Sequence, residues 1–304
     1  MRVVSTSGGR WFRHAALAAG LALCATASNG ATADDPIDTL AQIKARGEIR
    51  LAYRADAAPF SFVKDGQPDG YSVNLCREVA ASVQQQLSMP ELKVTYVEVT
   101  AADRFDAIVA GRADLLCEAT TATLARRERV DFSIPTYVSG AGLVIRPGGP
   151  TSLDAFAGQK VGVLGGTTTE RDIEAILEEQ GIKADLVVVR SHDDGLAQLK
   201  SGAIVAYFAD RTILEERLRH EAGAGDLMLA DSYITIEPYA LALPLDHRFR
   251  LAVDTALSHL FRTGGTCGSL SFLPEDRRYE IPDPPQVIPR AQGGPIEDLF
   301  HAIK

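Results

Sequence analysis

Ala119-Thr120-Thr121-Ala122-Thr123-Leu124-Ala125-Arg126-Arg127-Glu128-Arg129-Val130-Asp131-Phe132-Ser133 is the stretch whose reading decides the fold. The run Ala113 to Leu116 before it predicts a short strand. Three threonines follow, then a helical turn carrying Arg126 and Arg127, then Val130 and Phe132 returning to a core. A strand end followed by hydroxyls and a helix start can hold an anion, because free N–H groups and hydroxyls donate to a carboxylate that an arginine grips. On spacing alone the plainer reading, an N-capped helix with solvated arginines, stands ahead. The arrangement of the remaining chain shifts the balance.

Upstream, Ile37, Leu40 and Ile43 give a helical stripe with Gly47 as its C-cap. Ile49 to Tyr53 reads as a strand with Arg54 at its end, and Ser72 as the cap of a helix bearing Val79, Val83 and Leu87. Leu92 to Val99 reads as a strand ending at Thr100, followed by a helix with Arg104 in its first turn. Downstream, Gly142 to Ile145, Val161 to Leu164, Leu186 to Val189 and Ile204 to Phe208 read as strands, with helices between the last three and after them. Pro147-Gly148-Gly149-Pro150 reads as a domain boundary, and Ile234 to Leu243 as extended chain broken by Pro238. The alternation defines an α/β fold with mostly parallel sheets, in which ligands bind outside the carboxyl ends of the strands. Arg54, Thr100, Arg104, Thr120, Thr121, Thr168, His192 and Asp210 all fall at such ends.

The 304 residues suffice for two modest domains or one large one, and 46% apolar against 23% charged residues supports a packed core. Residues 1–33 read as a cleavable signal peptide: Arg2, Arg10 and Arg13, the apolar run Ala15 to Leu23, and the site Ala31-Thr32-Ala33. Leu23 before Cys24 argues against a lipoprotein anchor. No later run is apolar and long enough to span a membrane. Loss of the leader's three arginines takes the net charge from −9 to −12, which argues against nucleic acid and anionic membranes as partners.

Export permits disulfides, and three cysteines remain: Cys76, Cys117 and Cys267. The expected pair is Cys76 with Cys117, with Cys267 left over; the alternative is three buried thiols. Neither Cys-x-x-Cys nor His-x-x-x-His occurs, so no metal site is expected.

Arginines and helix starts suit carboxylates, Asp210 suits an ammonium, and two arginine sets suit two carboxylates. An acidic amino acid meets all three conditions. Each residue also has a plainer reading. Arg54 could be a surface residue, His192, Asp193, Asp194 and Asp210 helix-capping residues, and Tyr53, Phe60 and Phe62 core. Gly165-Gly166 lacks the lysine of a P-loop and the G-x-G-x-x-G of a dinucleotide fold, so no nucleotide cofactor is expected. No G-x-S-x-G elbow occurs, and a basic cleft argues against paired glycosidase acids.

Several stretches together resemble the family 3 extracellular solute-binding proteins of ABC amino-acid importers, most nearly the glutamate/aspartate-binding members. They are Tyr53-Arg54 through Pro59-Phe60-Ser61, Gly70-Tyr71-Ser72, Thr100 to Arg104, Thr120-Thr121 through Arg126 to Ser133, Gly166-Thr167-Thr168, His192, Ser201-Gly202 and Glu237-Pro238-Tyr239. The resemblance implies a two-lobed periplasmic-binding-protein type II fold with two crossing hinge strands, near Ala141 to Ile145 and Ile234 to Ala240. Lobe 1 would comprise 34–143 and 235–304, and lobe 2 144–234. It implies that Arg126, Thr121 and Thr168 hold an α-carboxylate, Asp210 the ammonium, and Arg54, Arg104 and His192 a side-chain carboxylate. The implied function is capture of L-glutamate or L-aspartate in the periplasm by a monomer and delivery to an inner-membrane permease, without catalysis or cofactor. Rival readings are a cyclohexadienyl/arogenate dehydratase-like enzyme and a chemoreceptor's ligand sensor. Two features depart from the pattern. Ala101 and Ala119 stand where such binders have serines, and Gly264 to Pro274 lacks the family's tryptophan-containing helix end.

Overall fold

The computed structural model describes residues 37–220, 226–231 and 233–263. The expected leader (1–33), the segment Gly264 to Pro274 with Cys267, and the proline- and glycine-rich residues from Pro282 onward lie outside the described residues. The first helix, α1 (Thr39–Arg46), starts where the Asp38 carboxylate accepts from the Ala41 N–H and ends at Gly47, whose φ of 66° needs no Cβ. Strand β1 (Glu48–Tyr53) follows, and a small antiparallel sheet of β2 (Asp56–Ala57), β3 (Ser61–Lys64) and β4 (Gln67–Asp69) leads to α2 (Tyr71–Gln86). Ser72 does not cap α2; Gly70 does. The Tyr71 and Ser72 N–H groups donate to the Pro59 and Phe60 carbonyls, so a Cβ at residue 70 would lie 2.5 Å from the Phe60 oxygen.

The chain continues through β5 (Lys93–Glu98), α3 (Arg104–Val109), β6 (Leu115–Leu116), the short helix α4 (Leu124–Arg127) and β7 (Asp131–Phe132). The first sheet has the order β5-β1-β6-β15-β7, where β15 is Ala242–Leu243. Strand β1 runs parallel to both neighbours, while β15 is antiparallel to its own. Ile49 and Leu51 of β1 are fully buried, with Val73, Leu75, Val79 and Val83 of α2 and Phe249, Val253 and Leu257 of α8 (His247–Thr263). Each such side chain contributes about 1.5–3 kcal/mol by leaving water. Cys76 on α2 and Cys117 just after β6 form a disulfide within this core.

The second sheet has the order β11-β10-β12-β9-β13, built from β9 (Ala141–Ile145), β10 (Lys160–Leu164), β11 (Asp185–Val189), β12 (Ala206–Asp210) and β13 (Met228–Leu229). Helices α5 (Thr168–Glu179), α6 (His192–Ser201) and α7 (Arg211–His220) follow β10, β11 and β12. The parallel triple β11-β10-β12 puts the starts of α5 and α6 and the end of β12 at one sheet edge, as expected.

The chain passes between the sheets twice, through β8 (Tyr137–Ser139) and β14 (Glu237–Tyr239), which pair antiparallel. The first passage lies before Ala141–Ile145, because all five of those residues are buried inside the second sheet. Pro238 sits in the second passage opposite Val138, in a two-stranded ladder that tolerates a missing N–H. Phe60, Tyr137 and Tyr239 stack edge-on at 5.0 and 5.3 Å beside it.

Candidate functional site

The ends of β1, β6, β10 and β12 and the strand β14 converge on one cavity lined by Arg54, Arg104, Ala119, Thr121, Arg126, Thr168, His192, Asp210 and Glu237, with Leu164, Ile213 and Tyr239 as apolar wall. Seven of the eight residues expected from the sequence line it. Thr100 does not: it is exposed, and its hydroxyl donates to Asp103 at 2.8 Å, holding the entry to α3. The four-residue α4 is capped by Thr123, as the plainer reading of the opening stretch had it. Its contribution to the cavity is the Arg126 side chain rather than its N-terminus.

At one end, Arg54 follows β1 and is 3% exposed. It pairs with Asp56 at 2.8 Å and with Glu118 at 3.4 Å. Burial opposes its charge, but Glu118 and Asp56 outweigh burial, so its pKa lies above the ordinary value. Arg104 opens α3, its Nε 3.2 Å from Glu118 and its Nη2 donating to the Gly166 carbonyl at 3.1 Å. Burial pulls Arg104 down to about 10 despite Glu118. Glu118 also accepts from the Thr120 hydroxyl and is 1% exposed.

His192, the first residue of α6, is 2% exposed. Its Nδ1 lies 3.0 Å from the Tyr207 hydroxyl, while its Nε2 is buried with no hydrogen-bond partner among the described residues. Burial and then Arg54 push its pKa down to about 3, so the ring is neutral at physiological pH.

At the other end, Thr168 donates to Glu237 Oε2 at 2.6 Å, Thr121 donates to the same oxygen, and Thr235 donates to Glu237 Oε1 at 3.0 Å. Asp210 ends β12 and accepts from the Ile213 N–H at 3.0 Å, while its Oδ2 is buried without a partner among the described residues. Burial and then Glu237 push its pKa up to about 8. Between the ends, Arg126 donates to the Thr121 carbonyl at 2.8 Å, covers the Phe105 ring at 5.0 Å, and has no ion pair among the described residues.

The cavity is therefore not simply basic, as the sequence suggested. Glu237 lines it, and Glu118 and Asp56 pair with its arginines. Glu118 follows Cys117 just after β6, and Glu237 lies in the Glu237-Pro238-Tyr239 motif, yet neither position reveals by spacing which cation or hydroxyl it meets. Asp193 and Asp194 stay outside the cavity; Ser191 caps α6, and Asp193 pairs with Arg217 at 2.6 Å. Among the described residues no cluster of histidine, cysteine and acidic side chains suits a metal, and no helix is long and apolar enough to cross a membrane.

Two α/β sheet units, two connecting strands and a polar cavity at strand ends define a two-lobed binding-protein fold. An ancestral arginine-binding protein bound to arginine shares it, with a TM-score of 0.67 over 75% of this chain and 99% of that one, at 22% identity. Residues 49–218 match the model of the bacterial extracellular solute-binding proteins, family 3, and the chain belongs to that family. It is similar to the L-glutamate/L-aspartate-binding protein of Pseudomonas aeruginosa, 29% identical over 76% of this chain and 78% of that protein. It is also 30% identical to the glutamate/aspartate import solute-binding protein of Escherichia coli, over 66% of this chain and 65% of that protein, just under two thirds of its length.

Proposed function

We propose that the chain is a periplasmic amino-acid-binding protein that captures glutamate or aspartate between two lobes and presents it to an ABC permease. In this reading the first sheet with its helices forms lobe 1, and the second sheet, including all of Ala141–Ile145, forms lobe 2. The observation that carries it is the opposition within one cavity of Arg126, which has no ion pair among the described residues, and the acids Asp210, half-buried, and Glu237, buried. An α-carboxylate on Arg126, Thr121 and Thr168 places the α-ammonium at those acids. The side chain then points toward Arg54, Arg104 and His192. The names of the P. aeruginosa and E. coli relatives support an acidic side chain there. Contacts from both sheets, such as Arg104 to the Gly166 carbonyl, support closure over the ligand.

Calorimetric titration of refolded, ligand-stripped protein with glutamate, aspartate, glutamine, asparagine, arginine and histidine tests this. Tight binding of the two acids supports the reading. Preference for a neutral or basic amino acid keeps an amino-acid binder and overturns the acidic assignment.

One observation favours the dehydratase reading instead. Burial and then Glu237 push the Asp210 carboxyl up to about 8, toward the protonated form a general acid needs, and its Oδ2 has no partner among the described residues. Turnover of a cyclic aromatic precursor, abolished in Asp210→Asn, would replace binding with catalysis.

A further inference from the structure

The arginines expected to meet a ligand's side-chain carboxylate already have partners inside the protein. Glu118 bridges Arg54 and Arg104, and Asp56 takes the other side of Arg54. Glu118 is not on the cavity wall; it sits behind the two guanidiniums, 1% exposed, with the Thr120 hydroxyl on its Oε1. The groups facing it are Arg54 after β1, Arg104 on α3 and Arg126 on α4. Beyond Arg54 lie Asp56 on β2, His192 on α6 and Arg217 on α7, and at the far end Asp210 and Glu237. Arg217 is matched by Asp193. The guanidiniums of Arg54 and Arg104 are thus already matched by the carboxylates of Asp56 and Glu118, and burial holds the His192 ring neutral.

A zwitterionic amino acid with an uncharged side chain leaves this balance intact. Glutamate or aspartate adds one negative charge to a buried site, where an uncompensated charge is strongly unfavourable. We propose that Glu118 is a resident counter-ion that makes binding of an acidic amino acid depend on the uptake of one proton from solvent. The proton belongs to the coupled set of Glu118, the ligand carboxylate and the His192 Nε2, which has no partner among the described residues. No bond other than that to the proton is made or broken. The inference rests on the acidic-ligand reading above and deepens it: the site discriminates acids from amides by pH.

The test compares wild type with Glu118→Gln, both checked for folding by thermal melting, with glutamate titrated from pH 5 to 8 in buffers of differing ionisation heat. Both proteins meet the same ammonium with Asp210 and Glu237, so protons exchanged at that end cancel. The expected result is that wild type takes up close to one more proton per glutamate than the variant. Glu118→Gln then binds at least tenfold tighter at pH 8, a gap that narrows as pH falls. Equal proton numbers, or weaker binding by the variant at every pH, overturn the proposal and leave Glu118 as a support for the arginines. If Glu118→Gln does not fold, Glu118→Ala takes its place. Wild type alone also decides, since glutamate must take up about one proton more than glutamine. Binding of amino acids but not of glutamate or aspartate overturns the acidic reading and this inference together.

Discussion

The hydroxyls of Thr121 and Thr168 lie 3.2 Å apart, one from the loop after β6 and the other from the first turn of α5, and both donate to Glu237 Oε2. One carboxylate on a connecting strand thereby ties elements of both sheets. Glu237→Gln keeps the shape and removes the charge an ammonium would meet. A hydrogen bond to a charged group is worth about 1.5–3 kcal/mol. The variant should bind its amino acid roughly tenfold to a hundredfold more weakly. Unchanged affinity in calorimetry would place the ammonium elsewhere.

Asp210 and His192 give the unliganded protein a pH profile with opposed limbs. Asp210 is raised to about 8 in the fold, so its contribution is full below the unfolded value near 4 and lost as pH rises through 8. His192 is lowered from 6.5 to about 3, so its contribution is full above 6.5 and lost as pH falls toward 3. The two oppose each other from about 4 to 6.5, and above 6.5 Asp210 acts alone. The urea midpoint should fall between pH 6.5 and 8 in wild type and flatten in Asp210→Asn. A slope unchanged in that variant would assign the decline to another group.

What could be read from the sequence follows from what each signal is. Strand and helix order was legible because buried runs such as Val161 to Leu164 and stripes such as Val79 with Val83 have the period of their element. Strand ends then located the cavity, because parallel sheets leave their carboxyl edges open. Thr100 lies off the cavity because a strand-end hydroxyl can as well turn back onto its own loop, here to Asp103. Glu118 and Glu237 are not legible in the sequence because a buried acid is recognisable only by the cations and hydroxyls around it. Those partners come from residues as remote as Arg54 and Thr121.

The Cys76–Cys117 disulfide closes a loop of sequence separation 41 and holds the segment leading to Glu118 against α2. Loop-closure entropy for that length corresponds to about 4 kcal/mol. Replacing both cysteines by serine should lower stability by about 2–4 kcal/mol in urea titrations, with a steeper slope because the unfolded chain is no longer cross-linked. Equal midpoints for wild type and variant would show that the bond does not stabilise the fold.

Gly166 tests whether affinity depends on how closely the two sheets' loops approach. Its φ is 75°, its carbonyl accepts from Arg104, and a Cβ there would lie 2.9 Å from the Ala101 oxygen and 3.1 Å from Ala102 Cα. Gly181, at the end of α5, has a φ of 66° but nothing within 4 Å of the same position. Replacing either glycine by alanine imposes a left-handed backbone on a residue with a Cβ, at about 1–2 kcal/mol of stability. Only Gly166→Ala also pushes the loop after β10 away from residues 101 and 102, and with it the Arg104 contact. Both variants should therefore show lowered melting temperatures. Ligand affinity should fall at least tenfold in Gly166→Ala and stay at the wild-type value in Gly181→Ala. Equal affinity in the two would mean that this approach does not contribute to binding.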